Sequence, residues 1–504
     1  MKKIILLCLF SLSLCNVDAQ KILKSFPFYI DGTFKKDYDE YKAGTPLKFN
    51  QLVLTERGAN GEETLKAAVV VDNTQFAIPY SQLNVMALTP TDNKSFWEYK
   101  ALQNDIYEKI WDKGYQYDIR QDLNDEATEY IKNLNSSNLF YEDPYTEDYV
   151  NGLFASVIYN NFNDKRLGTL NVYILKSPAP DSFILPNGSL VLSTGLLSTL
   201  DSEEELTAIM ASEVSHFVLD HAIINVNKEV AREKRAAFWG GVVGGVLAAG
   251  EEYLMSKSDY YIPGTATAAV ALISSAIFDK TSQRLGMTYS RDQEKVADQC
   301  AIEFLKMKNM QPSALASGLT KIKNYYEDHR DFYTLSKYGP YAEFDKRIER
   351  LGENKECTIN HRYNKIMSTV NTFNSILMLN GKRYDDAALL VNKNIRNKVA
   401  SDDDYVLLAK TNMALYNTEE KNNESLSLIL KAKSITEVPN LNTDKQEILA
   451  LLRLNKQGKA ASSLKEYIDH LSAFLDQTRS ADDSTWASTE LNWANKLLQR
   501  INIL

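Results

Sequence analysis

The chain has 504 residues, 44% of them hydrophobic, and a formal net charge of −9. That is apolar material for about two to four separate cores. The acidic balance excludes nucleic acid, or an anionic membrane surface, as the main partner.

Residues 1–19 read as a secretory signal. Lys2 and Lys3 form the basic start, Ile4 to Leu14 the apolar stretch, and Val17-Asp18-Ala19 a cleavage site before Gln20. A lipid anchor on Cys15 is disfavoured by the bulky Leu14 before it. An exported chain of this kind is expected in the periplasm or at the cell envelope. Beyond the signal only Cys300 and Cys357 remain. The exported compartment permits a disulfide between them, two free buried thiols fit equally well, and zinc binding through cysteine is excluded by count.

Residues 20–94 are expected to form a small β-rich domain. LKFNQLVLT, TLKAAVVVD and TQFAIPYSQLNVMAL are β-branched or aromatic runs broken by turn residues, which predicts a barrel or sandwich. Residues 95–165 switch to helical spacing, with Trp97, Tyr99, Leu102, Ile106, Ile110 and Trp111 on one face, and read as a helical linker. The third domain is expected at 166–360. It opens with predicted strands at Asn171 to Leu175 and Phe183 to Ser193, the second containing a Pro186-Asn187-Gly188 turn.

These strands lead into DSEEELTAIMASEVSHFVLDH, Asp201 to His221, predicted as one long buried helix. Asp201 or Ser202 caps it, and Glu203, Glu204 and Glu205 suit the positive end of its dipole. Leu206, Ile209, Met210, Val214, Phe217 and Val218 recur at helical spacing. Next come Ala236 to Gly250 and Tyr261 to Phe278, rich in small residues. They read as a packed helical hairpin, with membrane contact through 236–278 or an active-site flap as the alternative. Ser282 to Met307 is predicted as a second long helix, and a helix ending Lys346-Arg347-Ile348-Glu349-Arg350-Leu351 closes the domain.

Residues 361–504 are expected to form helical repeats. Leu379-Asn380, Tyr416-Asn417 and Leu454-Asn455 each end an apolar helical run, at spacings of 37 and 38 residues. The array resembles tetratricopeptide repeats, with Gly381-Lys382-Arg383-Tyr384 the best copy.

The chemistry is carried by Ser212-Glu213-Val214-Ser215-His216, the H-E-x-x-H zinc-protease pattern with serine in place of its first histidine. Residues at i and i+4 share a helix face, so the full motif supplies two zinc ligands, with the glutamate beside the metal-bound water. No Gly-rich phosphate loop, nucleophile elbow or cysteine pair offers another centre.

Four ordered pieces carry a family resemblance. They are Asp181-Ser182-Phe183-Ile184-Leu185-Pro186-Asn187-Gly188, then Thr194-Gly195-Leu196-Leu197 with Asp201-Ser202-Glu203. The spacing Glu213, His216, His221 follows, and then Tyr289-Ser290-Arg291 with Glu294 and Ala297-Asp298. Together they resemble the HtpX/BepA-type gluzincin zinc metallopeptidases, metallopeptidase family forty-eight. The resemblance implies an α+β fold with a gluzincin-like core, zinc as cofactor and peptide-bond hydrolysis. It makes Glu213 the general base, His216 and Glu294 metal ligands, and Asp298 the carboxylate that orients the first histidine. His221 and Arg347 come next to the site. Read as part of a continuous helix, His221 should point off the ligand face.

Two departures weaken the implied activity. Ser212 stands where the first ligand belongs, and a neutral hydroxyl binds zinc poorly beside imidazole. Lys337-Tyr338-Gly339-Pro340 lacks the His-Pro expected before Arg347. Asp298, freed of its orienting task, is expected to meet Ser212 or turn towards a metal. Two functions follow: an exported metalloendopeptidase-family protein acting on envelope polypeptides with impaired or absent catalysis, or a non-catalytic, chaperone-like protein holding polypeptide clients through its cleft and repeats.

Overall fold

The computed structural model describes residues 20–57, 62–111, 117–159, 170–226, 287, 289–329, 344–352, 359–436 and 438–503. Two compact units are present, Met1–Tyr115 and Gln116–Leu504. The boundary falls inside the 95–165 helical stretch.

In the first unit β1 (Gln20–Phe34), β2 (Pro46–Arg57), β3 (Glu62–Val71), β4 (Thr74–Pro79) and β5 (Met86–Leu88) form one antiparallel sheet in the order β4-β3-β2-β1-β5. Asp72 and Asn73 turn β3 into β4 with φ of 47° and 66°, the left-handed pair that a two-residue hairpin requires. The expected barrel or sandwich is therefore corrected to a single sheet. Its second layer is a helix, α1 (Asn93–Gln103), which buries Phe96 and Trp97. Asp92 and Ser95 close a capping box at its start. The single helical face read from Trp97 to Trp111 is broken at Asp105 (φ 58°), after which α2 (Ile106–Trp111) begins.

The second unit opens with α3 (Tyr117–Ser136) and α4 (Pro144–Val157). Strands β6 (Val172–Leu175), β7 (Ser182–Ile184) and β8 (Leu190–Ser193) form a small sheet in the order β6-β8-β7, with β6 parallel and β7 antiparallel to β8. The expected turn lies between β7 and β8, where Gly188 takes φ 84°. Next comes α5 (Thr194–Thr199), with Gly195 in its first turn, where a Cβ would lie 2.2 Å from the Pro178 carbonyl oxygen.

The long helix α6 runs from Glu203 to Val218, capped by Ser202. It is apolar nearly all round and lies at the centre of the unit against β7, α4 and two later helices. It does not reach His221 as one piece. Asp220 takes φ 58°, and α7 (His221–Val226) starts afresh. The 236–278 segment lies outside the described residues; among these, no helix is long and apolar enough to cross a membrane.

The second motif helix, α8, spans Arg291–Met307, with Ser290 and Gln293 forming its capping box. The predicted start at Ser282 is corrected, because this cap places Tyr289 and Ser290 outside the helix. Then come α9 (Ala314–Asp328) and α10 (Phe344–Leu351). Cys300 is buried, and Cys357 lies outside the described residues.

The C-terminal region is all helical: α11 (His361–Asn380), α12 (Tyr384–Arg396), α13 (Asp402–Leu415), α14 (Glu419–Ile435), α15 (Leu441–Arg453), α16 (Gln457–Gln477) and α17 (Ala481–Ile503), each packed on the next. Helices α11, α13 and α15 end at or within two residues of the positions expected from sequence. Side-chain oxygens of Asn360, Ser401, Thr418 and Asn440 cap the starts of α11, α13, α14 and α15. The α+β class, with a small N-terminal sheet and a C-terminal helical array, is as expected.

Candidate metal centre

Packing of α6 on α8 brings the motif residues together. Glu213 and His216 lie one turn apart on α6, and Glu294 faces them from the first turn of α8. His216 Nε2 is 3.7 Å from Glu294 Oε2. That is too long for a hydrogen bond. It is close to the separation of about 3.4 Å between two ligands of one tetrahedral zinc ion.

A zinc centre needs a third protein ligand. Ser212 occupies its position on the His216 face, buried at 4% exposure. Its hydroxyl is both shorter than an imidazole and a weaker donor to zinc. Among the described residues, no group of three or more His, Cys, Asp or Glu side chains converges so as to hold a metal. The other histidines do not repair this. His329 bonds to Asp386 and the Tyr325 carbonyl, His470 pairs with Asp444 in the array, and His361 is the exposed first residue of α11. The described residues therefore do not by themselves fit the ion that the motif implies.

Asp298 is placed differently from expectation. Rather than meeting Ser212, its carboxylate accepts two bonds from Arg347, from Nη2 at 2.6 Å and Nε at 3.2 Å. Arg347 Nη1 lies 3.0 Å from Glu294 Oε2, and Arg350 stands 3.6 Å from Asp298. Helix α10 thus delivers a guanidinium between the two carboxylates of α8. Burial alone would raise Glu294, but Arg347 and His216 together hold it below the usual carboxylate range.

Among the described residues Glu213 makes no such ion pair, although Arg347 as well as His216 pulls its carboxyl down. Burial pushes its carboxyl up to about 7, against the pull of His216 and a 2.9 Å hydrogen bond donated by Ser182 of β7. The group expected as general base is thus attached to the edge strand of the small sheet.

His221 is also repositioned. A continuous helix would aim it away, but the left-handed Asp220 turns the chain so that its Nδ1 meets His216 Nδ1 at 2.9 Å. The Asp220 carboxylate is held by both terminal nitrogens of buried Arg120 from α3. Tyr289 stacks on the His216 ring at 3.6 Å between centroids. Sequence reasoning missed Ser182, Tyr289 and Arg120 as site residues. The first two stand inside stretches that carry the resemblance. Arg120, 100 residues from its partner, leaves no local signal. The Lys337–Pro340 departure lies outside the described residues.

The family model for peptidase family M48 matches residues 145–356, covering the small sheet and helices α5 to α10. Those residues form a peptidase family M48 domain. Its relatives include the beta-barrel assembly-enhancing proteases of Yersinia pestis, 24% identical, and Escherichia coli K12, 22% identical. Each match runs over 195 residues, 38% of this chain and 36% of the relative. The matched stretch thus spans about a third of those proteins' length. The mitochondrial metalloendopeptidase OMA1 of Bos taurus is 35% identical over 51 residues, 10% of each chain. The matched domain is of a metallopeptidase family, while the donor set among the described residues departs from what the zinc motif requires.

Proposed function

We propose that this protein is an exported M48-family protein that acts on polypeptides of the cell envelope by holding them rather than hydrolysing them. The observation that carries the reading is Ser212 in the position of the first zinc ligand, with no substitute ligand converging among the described residues. Export rests on the signal read at residues 1–19, and polypeptide handling on the M48 domain and the beta-barrel assembly-enhancing proteases it resembles. The tetratricopeptide-like array is the second surface for a client, and membrane contact through 236–278 a third.

The competing reading is a working endopeptidase with an improvised His216, Glu294 and Asp298 ligand set. The salt bridge from Arg347 to Asp298 disfavours it, because the aspartate would have to leave a buried guanidinium to reach an ion.

Elemental mass spectrometry on the purified protein, beside Ser212→His and Glu294→Ala, tests the proposal. The expected result is negligible zinc in the unmodified chain and Glu294→Ala, and about one zinc per chain in Ser212→His. About one zinc in the unmodified chain, lost in Glu294→Ala and accompanied by peptide cleavage that needs Glu213, would overturn it.

A further inference from the structure

We propose that His329 is a pH-sensitive latch, which fastens the helical array to the M48 domain while its ring is charged and lets go when the ring loses its proton. The latch does not depend on what the metal pocket holds, so it stands or falls apart from the non-catalytic reading. It goes beyond that reading by naming a regulated contact between the M48 domain and the array.

Geometry carries the inference. Helix α12 is attached to the M48 domain at both ends. In its last turn Lys393 reaches Asp201 and the Ser198 and Leu200 carbonyls. In its first turn Asp386 meets His329, the residue that ends α9. His329 is 9% exposed, and both ring nitrogens face acceptors. Nε2 lies 3.0 Å from Asp386 Oδ1, and Nδ1 lies 2.6 Å from the Tyr325 carbonyl oxygen. A neutral imidazole has one N–H and can serve only one of them, whereas the imidazolium serves both. Asp386 is held as a carboxylate by Arg383, whose Nε donates to Oδ2 at 2.7 Å. Two further features favour the charged ring. The Tyr325 carbonyl belongs to the last turn of α9, at the negative end of its dipole. The Tyr325 ring also stacks on the imidazole at 4.1 Å between centroids. Among the described residues, the charged groups facing the ring are Asp386 and Arg383 of α12, while Glu327 and Asp328 of α9 are exposed. Burial opposes the charge, as does Arg383, but the bonds to Asp386 and Tyr325 outweigh them and hold the ring's pKa above its ordinary value. The contact is therefore complete below the ordinary histidine value of about 6.5 and is lost as pH rises through the raised one. Once the ring is neutral, the first turn of α12 can pivot about Lys393.

Hydrogen exchange read by mass spectrometry on the chain from Gln20 to Leu504 provides the test, at pH about 6 and about 8.5 and corrected for the intrinsic pH dependence of exchange. Opening of the first two turns of α12 and the last turn of α9 should rise about threefold or more at the higher pH. The last turn of α12 and the start of α6, held by Lys393, should stay protected at both. His329→Gln keeps one donor but cannot take up a proton, so its opening should be the same at both pH values and close to that of the unmodified chain at the higher one. Asp386→Asn removes the latch from the other side and should abolish the dependence as well, with the double variant adding nothing further. A pH dependence that persists in His329→Gln would assign it to another group and overturn the inference. So would an unmodified chain whose joint opens equally at both pH values, or a rise spread over the whole array instead of confined to the joint of α9 and α12.

Discussion

Helix α6 has an ionic cluster near each end, and the two differ in how completely their polar atoms are used. Around the N-terminus, Lys321 donates to Asp201 at 2.6 Å and to both oxygens of Glu205, which also accepts from Ser317 and from the Asp201 backbone. Lys393 reaches in from α12 and meets the Ser198 and Leu200 carbonyls and Asp201 at 2.6–2.8 Å. An ammonium has three protons, and here each has an acceptor. Burial lowers the Lys393 pKa, with Asp201 only partly offsetting it. Towards the other end, His216 Nε2 stands 3.7 Å from Glu294, Glu294 Oε2 lacks a hydrogen bond among the described residues, and Ser212 stops short of the position an imidazole would fill. A cluster that serves structure saturates its donors and acceptors; one descended from a ligand site keeps valences open. The first also ties the helical array to the start of α6, so α11 and α12 are built into the same unit as the M48 core.

The largest effect should come from the saturated end. Lys393→Met leaves one Asp201 oxygen and two carbonyls short of a donor in a half-buried site, and urea unfolding should show a loss of about 3 kcal/mol. A loss below about 1 kcal/mol would erase the distinction between the clusters. A paired test sharpens it. Glu205→Gln should cost about 2 kcal/mol, because Lys321 and Ser317 lose a shared charged acceptor. Glu294→Gln should cost less than about 1 kcal/mol, because Arg347 keeps Asp298 and one buried charge is relieved. Equal costs would mean the metal-helix pocket is as structural as the other cluster.

A further effect is a pH dependence at the edge of the site. Asp181, beside Ser182, is pushed up to about 6 by burial, and the hydroxyl of Tyr326 only partly counters this. Between pH 4 and 6 the folded chain therefore holds a proton that the unfolded chain has released, so this group costs stability as pH rises through that window. Asp181→Asn keeps an acceptor for Tyr326 and cannot ionise. It should nearly match the unmodified protein at pH 4 and exceed it by about 2–3 kcal/mol above pH 6. A difference that does not change with pH would show that Asp181 is not buried in this way.

Local patterns carried much of this molecule. The helices of the array could be placed because caps such as Asn360 and Ser401 and their apolar spacing act within one or two turns. Glu213 and His216 were legible because zinc chemistry demands those residue types at helical spacing, and Glu294, on another helix, through the family resemblance. The sheet of the first unit was legible as strands and not as an architecture. Whether a second sheet or a helix covers it depends on where α1 packs, and no strand encodes that.

What sequence by itself determined is the inventory: an α+β chain, a metal-helix motif missing its first histidine, and the carboxylates that outlast that loss. What only the tertiary structure decided is which groups satisfy one another. Asp298 goes to Arg347 instead of Ser212, and His221 returns to His216 through the left-handed Asp220. Lys393 crosses nearly 200 positions of sequence to neutralise Asp201. Helix periodicity acts over a few residues, whereas charge compensation acts over a few ångströms, whatever the separation along the chain.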